Sequence, residues 1–169
     1  GIYAPLAIET SGHAALMENY FLDDGAYLVT RLLITLAKLA REGKDIADLI
    51  RDLPEPAEAA EVRLGFTEAG KAEFKKFGNE AIEDLRARVG GIAGLSLAHD
   101  NFEGVRINFD QAHGDGWALV RMSLHEPIVP VNFESNRKGG CADIAKRLFA
   151  LLSPYAAHID LKNLENYSR

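Results

Sequence analysis

The chain has 169 residues, enough for one medium domain or two small ones, and its 47% hydrophobic and 26% charged composition is that of a soluble globular protein. A formal net charge of −6 argues against nucleic acid or an anionic membrane surface as a partner of the whole chain. A single cysteine, Cys141, leaves no internal disulfide and no cysteine metal cluster, so a reducing cytoplasm is the expected location. No apolar run approaches the roughly 20 residues of a membrane span. No charged segment leads into an apolar one as in a signal peptide. The chain opens on Gly1-Ile2-Tyr3-Ala4-Pro5 without Met, as a fragment or a processed chain would.

Leu6, Ala7 and Ile8 form a short apolar run that reads as a strand. Glu9-Thr10-Ser11-Gly12-His13 follows, a polar loop whose glycine permits tight backbone geometry. It either contacts a ligand or is a turn with solvated side chains. Asp23-Asp24 reads as an N-cap and acidic first turn for a helix over residues 25–41. The apolar residues of that helix, among them Val29, Leu32, Leu33, Leu36 and Leu39, cover more than one stripe, which predicts burial on two sides. Gly43 ends it, and Asp45 caps a shorter helix with Ile46, Leu49, Ile50 and Leu53 on one face. Pro54 and Pro56 with the acidic stretch to Glu61 read as a linker over residues 54–61. The first 53 residues, one strand and two helices, are too few to close a core and suit part of a larger α/β unit.

Beyond the linker, Val62 to Phe66 alternate as a strand, and Thr67 or Glu68 opens a helix to about Val89 with Phe74, Phe77, Ala81, Leu85 and Val89 inward. Gly90, Gly91 and Gly94 are turn signals around a short apolar run. Val105, Ile107 and Phe109 mark a half-buried strand, joined through His113-Gly114-Asp115-Gly116 to a strand from Trp117. Val129, Val131 and Phe133 mark the next strand, and a helix runs from about Ala142 to Leu152. A last short element is expected after His158. The second domain, residues 62–169, therefore reads β-α-β-β-β-α, an α+β fold with helices on one face of a small, largely antiparallel sheet.

Chemistry concentrates at Arg121-Met122-Ser123-Leu124-His125-Glu126-Pro127. Extended backbone would point Arg121, Ser123 and His125 to one face, and Pro127 and Pro130 should break the strand into a loop there. A guanidinium fork, a hydroxyl and an imidazole at a strand end suit an oxyanion, phosphate above all, although an exposed edge with solvated polar groups is the plain alternative. Arg137 and Lys138, ahead of a helix N-terminus, are either a further phosphate-facing patch or solvated charges. Asp115 supplies one carboxylate in a turn, short of the several oxygens that magnesium needs. Asp23 and Asp24 are explained by a capped helix start rather than as a metal pair. His99 and His113 read as surface residues, and Cys141 as an inert thiol unless its helix-start position lowers its pKa.

Two motifs resemble a known family. Glu9-Thr10-Ser11-Gly12-His13, then Glu18-Asn19-Tyr20 and Asp23-Asp24-Gly25-Ala26-Tyr27, are similar to the sugar-recognition loop and following helix start in the third domain of the α-D-phosphohexomutases, the phosphoglucomutases and phosphomannomutases. Ile8 stands where that family usually has Gly. Arg121-Met122-Ser123-Leu124-His125-Glu126-Pro127 resembles the family's phosphate loop, Arg-x-Ser-x-Thr-Glu-Pro, with His125 in place of Thr and Asn132 where many members carry a second Arg.

The resemblance implies that residues 1–53 are the end of the third domain and residues 62–169 the fourth, a TATA-box-binding-protein-like fold. It implies an enzyme that interconverts hexose 1-phosphate and 6-phosphate through a phosphoserine and a hexose bisphosphate intermediate. By that resemblance His13 is the catalytic candidate, for proton handling or for positioning the loop, Glu9 and Ser11 bind sugar hydroxyls, and Arg121, Ser123 and His125 bind phosphate. The phosphoserine and the magnesium loop belong to domains outside this chain, which is expected to hold no metal and to be inactive alone. Expected partners are a hexose phosphate and the remaining domains of the same protein, with no nucleic acid and no membrane. Two other readings are a non-catalytic α+β ligand-binding or regulatory module, and a hydrolase built on Ser123, His125 and Asp115. The hydrolase lacks a Gly-x-Ser-x-Gly elbow and a relay geometry.

Overall fold

The computed structural model describes residues 3–9, 12–99, 101–123 and 126–169. These form two units, Gly1–Pro54 and Glu55–Arg169. In the first, β1 (Leu6–Ile8) and β2 (Ala14–Leu16) pair antiparallel with Ala7 opposite Ala15. The sequence did not announce β2, because Ala-Ala-Leu carries no alternation for a strand to show. A 3₁₀ turn over Met17–Asn19 follows, and then α1 (Gly25–Arg41). The Asp24 carboxylate accepts the Tyr27 N–H at 3.0 Å, so the cap is as expected. Gly43, at φ +68°, donates to Ala40 while Lys44 donates to Leu39, which closes the last turn in a Schellman arrangement. The short helix expected after Asp45 is a 3₁₀ turn, Ile46–Leu49, held by reciprocal Asp45 and Asp48 caps.

The expected burial of α1 on two sides is not found. None of its residues is buried, and Val29, Leu32, Leu33, Ile34 and Leu36 are exposed. A two-stranded hairpin and two 3₁₀ turns offer too little surface to cover two faces of a 17-residue helix.

The second unit closes its own core. Five antiparallel strands lie in the order β3-β7-β6-β5-β4: β3 (Glu58–Gly65), β4 (Leu95–Leu97), β5 (Val105–Phe109), β6 (Gly116–Val120) and β7 (Ile128–Ser135). Strand alternation sends Val62, Leu64, Ile107, Ala118, Val120, Val131 and Phe133 to one face, all buried. On that face pack α3 (Phe74–Val89), α4 (Gly140–Leu152) and α5 (Lys162–Tyr167), after a single turn of helix, α2 (Glu68–Lys71), capped by Thr67. The fold is thus α+β with a small antiparallel sheet, as the sequence indicates. Three details differ. The single helix expected to Val89 is broken between Lys71 and Phe74, the short apolar run after Gly94 is the edge strand β4, and β3 begins at Glu58, inside the stretch expected to be linker.

The break expected after the Trp117 strand is present, while Pro130 itself lies within β7, a central strand, without interrupting it. Arg121 N–H donates to the Pro130 carbonyl at 3.2 Å, but proline has no N–H to return to Arg121. The β6 ladder accordingly ends one residue earlier, at Val120 opposite Val131, and it is β6 that gives way to loop.

The early start of β3 has a further consequence. Glu58 reaches across to the start of α4, where its carboxylate accepts Gly139 N–H at 2.6 Å and Cys141 N–H at 3.1 Å. An anion at a helix N-terminus meets unpaired donors and the positive end of the helix dipole. The Gly139 bond, then the Cys141 bond, hold the Glu58 pKa below the usual carboxylate value. A depressed folded-state pKa means that the stabilisation is complete above the unfolded value and is lost as pH falls through the folded one. Glu58→Ala is therefore expected to lower the thermal midpoint at pH 7, and the gap to the wild type should close in acid, below the ordinary carboxylate range. Melting curves for both proteins across that range check it, and a gap independent of pH would refute the charge argument.

Candidate functional site

The functional residues expected from the sequence fall on two loops, one in each unit. In the first, Glu9 N–H donates to the His13 carbonyl at 2.9 Å and Gly12 N–H donates back to the Glu9 carbonyl at 3.0 Å, with Gly12 at φ +89°. This closes the hairpin and leaves the side chains of Glu9 and His13 exposed. His13 Nδ1 lies 2.7 Å from Asp23 Oδ2. That hydrogen bond, then the Asp23 charge, raise the His13 pKa above 6.5, with a smaller push from Glu9. Ser11, the expected second sugar contact, lies outside the described residues, as does Thr10. The Asp pair divides its work: Asp24 caps α1 and Asp23 holds His13. Reading both as a cap missed the second role. The signal for it was a doubled Asp where a cap needs one.

In the second unit Arg121 and Ser123 leave β6 at its end, where alternation continues for a few residues. Met122 packs against the core beside α3, at a point where the bare Gly78 leaves room for its sulfur, while Arg121 and Ser123 remain half-exposed. Ser123 N–H donates to Ile128 at 3.1 Å, and the Ser123 hydroxyl accepts Glu126 N–H at 3.2 Å, so this serine shapes the loop. His125 and Leu124 lie outside the described residues.

Arg121 faces Glu103 at 3.6 Å, on the segment leading into β5. Arg86 of α3 donates to the Gly104 carbonyl on the same segment at 2.5 Å. These residues border an open cavity of about 320 Å³. An ion pair of that length between partly exposed groups is weak, so an oxyanion with better geometry can displace Glu103 from the guanidinium. On the open face of the sheet Asn132 donates to Glu61 at 3.0 Å, and Arg63 pairs with Glu61 at 2.6 Å. Asn132 is thus engaged with a carboxylate. The Glu61 pKa is lowered by the Arg63 bond, then by the Asn132 bond.

Other expectations resolve locally. Arg137 pairs with Asp143, and the α4 N-terminus receives Glu58, so the donors there are already matched by carboxylates. Asp115, at φ +50°, sits in the β5–β6 connection. His113 is half-buried beside Gly94, with Nδ1 2.5 Å from Asp110. Cys141 is fully buried, and burial, then Glu58, push its thiol up to about 11, so the helix start does not activate it. Among the described residues no three His, Cys, Asp or Glu side chains are grouped to hold a metal ion, and no helix is long and apolar enough to cross a membrane.

An antiparallel sheet covered on one face by helices, with an arginine and a serine where a strand gives way to a loop, defines an α+β domain with polar side chains gathered at a strand end. The comparisons give the family. The chain is 30% identical over 159 residues, 94% of its length, to a phosphomannomutase/phosphoglucomutase of Pseudomonas syringae pv. tomato. It is 27% identical over 150 residues to a phosphoglucomutase of Neisseria gonorrhoeae. A crystal structure of a phosphoglucomutase/phosphomannomutase family protein from Burkholderia thailandensis superposes over 90% of the chain, with a TM-score of 0.63 and 27% identity. No protein-family model matches. The chain belongs to the phosphoglucomutase/phosphomannomutase family. It spans 30% of the Pseudomonas relative, 29% of the Neisseria relative and 29% of the Burkholderia structure.

Proposed function

We propose that the chain is the C-terminal portion of a phosphohexomutase, the end of its third domain and its fourth, and that the whole protein interconverts hexose 1-phosphate and hexose 6-phosphate. The observation that carries this reading is kinship across 94% of the chain with a protein named phosphomannomutase/phosphoglucomutase. In this reading the transferred phosphoryl group passes through a phosphoserine and a hexose bisphosphate, in the cytoplasm. The serine and the magnesium ligands lie in parts of the protein that this chain does not include. Magnesium, when bound there, would neutralise charge on the transferring phosphoryl group.

The residues of this chain bind and orient. Arg121 offers a planar fork to the phosphate that is not being transferred, with Ser123, His125 and loop amides as further donors. Glu9 and Ser11 take sugar hydroxyls, and His13 exchanges a proton with the hydroxyl that attacks or leaves. Binding energy at the remote phosphate fixes the reacting oxygen, from which much of phosphoryl-transfer catalysis derives. A non-catalytic ligand-binding module is the second reading. It draws on the closed core of the second unit, and it leaves the Glu9–His13 turn without a purpose.

Isothermal titration of the full-length protein carrying this segment with glucose 1-phosphate tests the assignment. Arg121→Ala removes a charge-assisted hydrogen bond worth about 1.5–3 kcal/mol, so the affinity should fall roughly ten- to a hundredfold. Unchanged affinity would remove Arg121 from the phosphate site. The isolated chain should convert no hexose phosphate, and turnover by it would overthrow the division of labour proposed here.

A further inference from the structure

Asp23 reaches His13 by an unusual route. After the 3₁₀ turn, Tyr20 and Phe21 both adopt φ +54°, two consecutive non-glycine residues in the left-handed region. An L side chain is strained in that region. Packing does not explain them, because Tyr20 is 88% exposed and Phe21 is 49% exposed. Their effect is to reverse the chain so that Asp23 bridges Ala15 of β2, which sets its carboxylate beside the imidazole two residues back, on His13. The helix cap does not need Asp23, since Asp24 supplies it. Stability does not explain the pair either, because His13 and Asp23 side chains are 66% and 59% exposed, and exposed ion pairs contribute little. Backbone strain spent on a weak surface pair points to a use other than folding.

On the mutase reading, we propose that Asp23 is a positioning residue for His13. It accepts the Nδ1–H, fixes that tautomer, and leaves Nε2 as the nitrogen that takes a proton from the attacking hexose-phosphate hydroxyl. In that step the O–H bond breaks, an Nε2–H bond forms, the hydroxyl oxygen bonds to phosphorus, and the bond from phosphorus to the enzyme serine breaks. The imidazolium so formed keeps the Asp23 carboxylate as its counter-charge, and the proton returns to the leaving oxygen in reverse. The charged groups acting on His13 are Asp23 and, more weakly, Glu9, both of which favour the imidazolium.

The test has two arms. In the 169-residue chain, nitrogen-15 NMR of the His13 ring should show the Nδ1–H tautomer at high pH. Asp23→Asn, which keeps the backbone bridge to Ala15, should move the His13 titration to lower pH, and Asp23→Glu should restore it in part. In the full-length protein, Asp23→Asn should lower kcat roughly ten- to a hundredfold with little change in KM, and should move the acid limb of the kcat profile to lower pH. An unchanged His13 tautomer and titration in Asp23→Asn, or an unchanged kcat, would overturn the proposal. If the wild-type full-length protein converts no hexose phosphate while the chain still shows the NMR signature, the mutase reading has failed and the proton-transfer role with it, but not the pairing.

Discussion

Phe133→Ala is expected to destabilise the second unit by about 3–5 kcal/mol, the range for deleting a buried aromatic ring. Phe133 is fully buried in β7, between Ala118 of β6 and Ala60 of β3 in the register. Its ring meets Tyr167 of α5 edge-on, with centroids 5.2 Å apart. Two small alanines flank it in the sheet, so no neighbouring strand side chain is large enough to fill the space it leaves. Against a typical domain stability of 5–15 kcal/mol, the loss is a large fraction of the total. Urea unfolding followed by the fluorescence of the single tryptophan, Trp117 on the adjacent strand, measures it. Phe102→Ala is the control: that ring is 91% exposed, and its removal should change stability by no more than about 0.5 kcal/mol. A Phe133→Ala loss below about 1 kcal/mol would mean that the core repacks around the gap.

Gly104→Ala should be nearly as damaging, at about 3 kcal/mol, for two separable reasons. Gly104 is at φ +67°, where an L side chain is strained. An added Cβ would also stand 2.2 Å from the Val120 carbonyl oxygen and 2.8 Å from Arg121 Cα, neither of which can swing aside. Gly139→Ala separates the two effects. Gly139 has a similar φ of +76° but open space around it, so only the strain of about 1–2 kcal/mol applies. The excess loss in Gly104→Ala measures the close approach of this segment to Arg121. Since the added Cβ would push on the backbone of Arg121 itself, the substitution should also weaken sugar-phosphate binding in the full-length protein. Equal losses for the two glycines would refute the contact argument.

The second unit was legible wherever periodicity was long enough to read. Val105-Arg106-Ile107-Asn108-Phe109 alternates over five residues and is a strand, and Ala81, Leu85 and Val89 recur at helical spacing and are buried. The three-residue strands β2 and β4 were not legible, since their apolar residues are as well suited to a turn. Glu58 to Glu61 looked like linker because Glu and Ala disfavour strands. Pairing with β7 and the anchoring of Glu58 at α4 override that preference. Pro130 was read through a general rule about central strands, and the exception depends on which neighbour its missing N–H would have faced. The apolar faces of α1 predict a cover, and the chain's own first unit does not supply one.

The candidate site divides in the same way. Motif spacing in the sequence determined which residues to watch, Glu9 and His13 in one loop and Arg121 and Ser123 in the other, because those side chains carry their chemistry wherever they sit. Only the tertiary structure decided their partners: Asp23 for His13 and Glu103 for Arg121. The physical reason is distance along the chain. An alternating strand or a capped helix is set by neighbours a few residues apart, whereas a charge pair between residues 10 or more apart exists only once turns such as Tyr20-Phe21 have brought the backbone around.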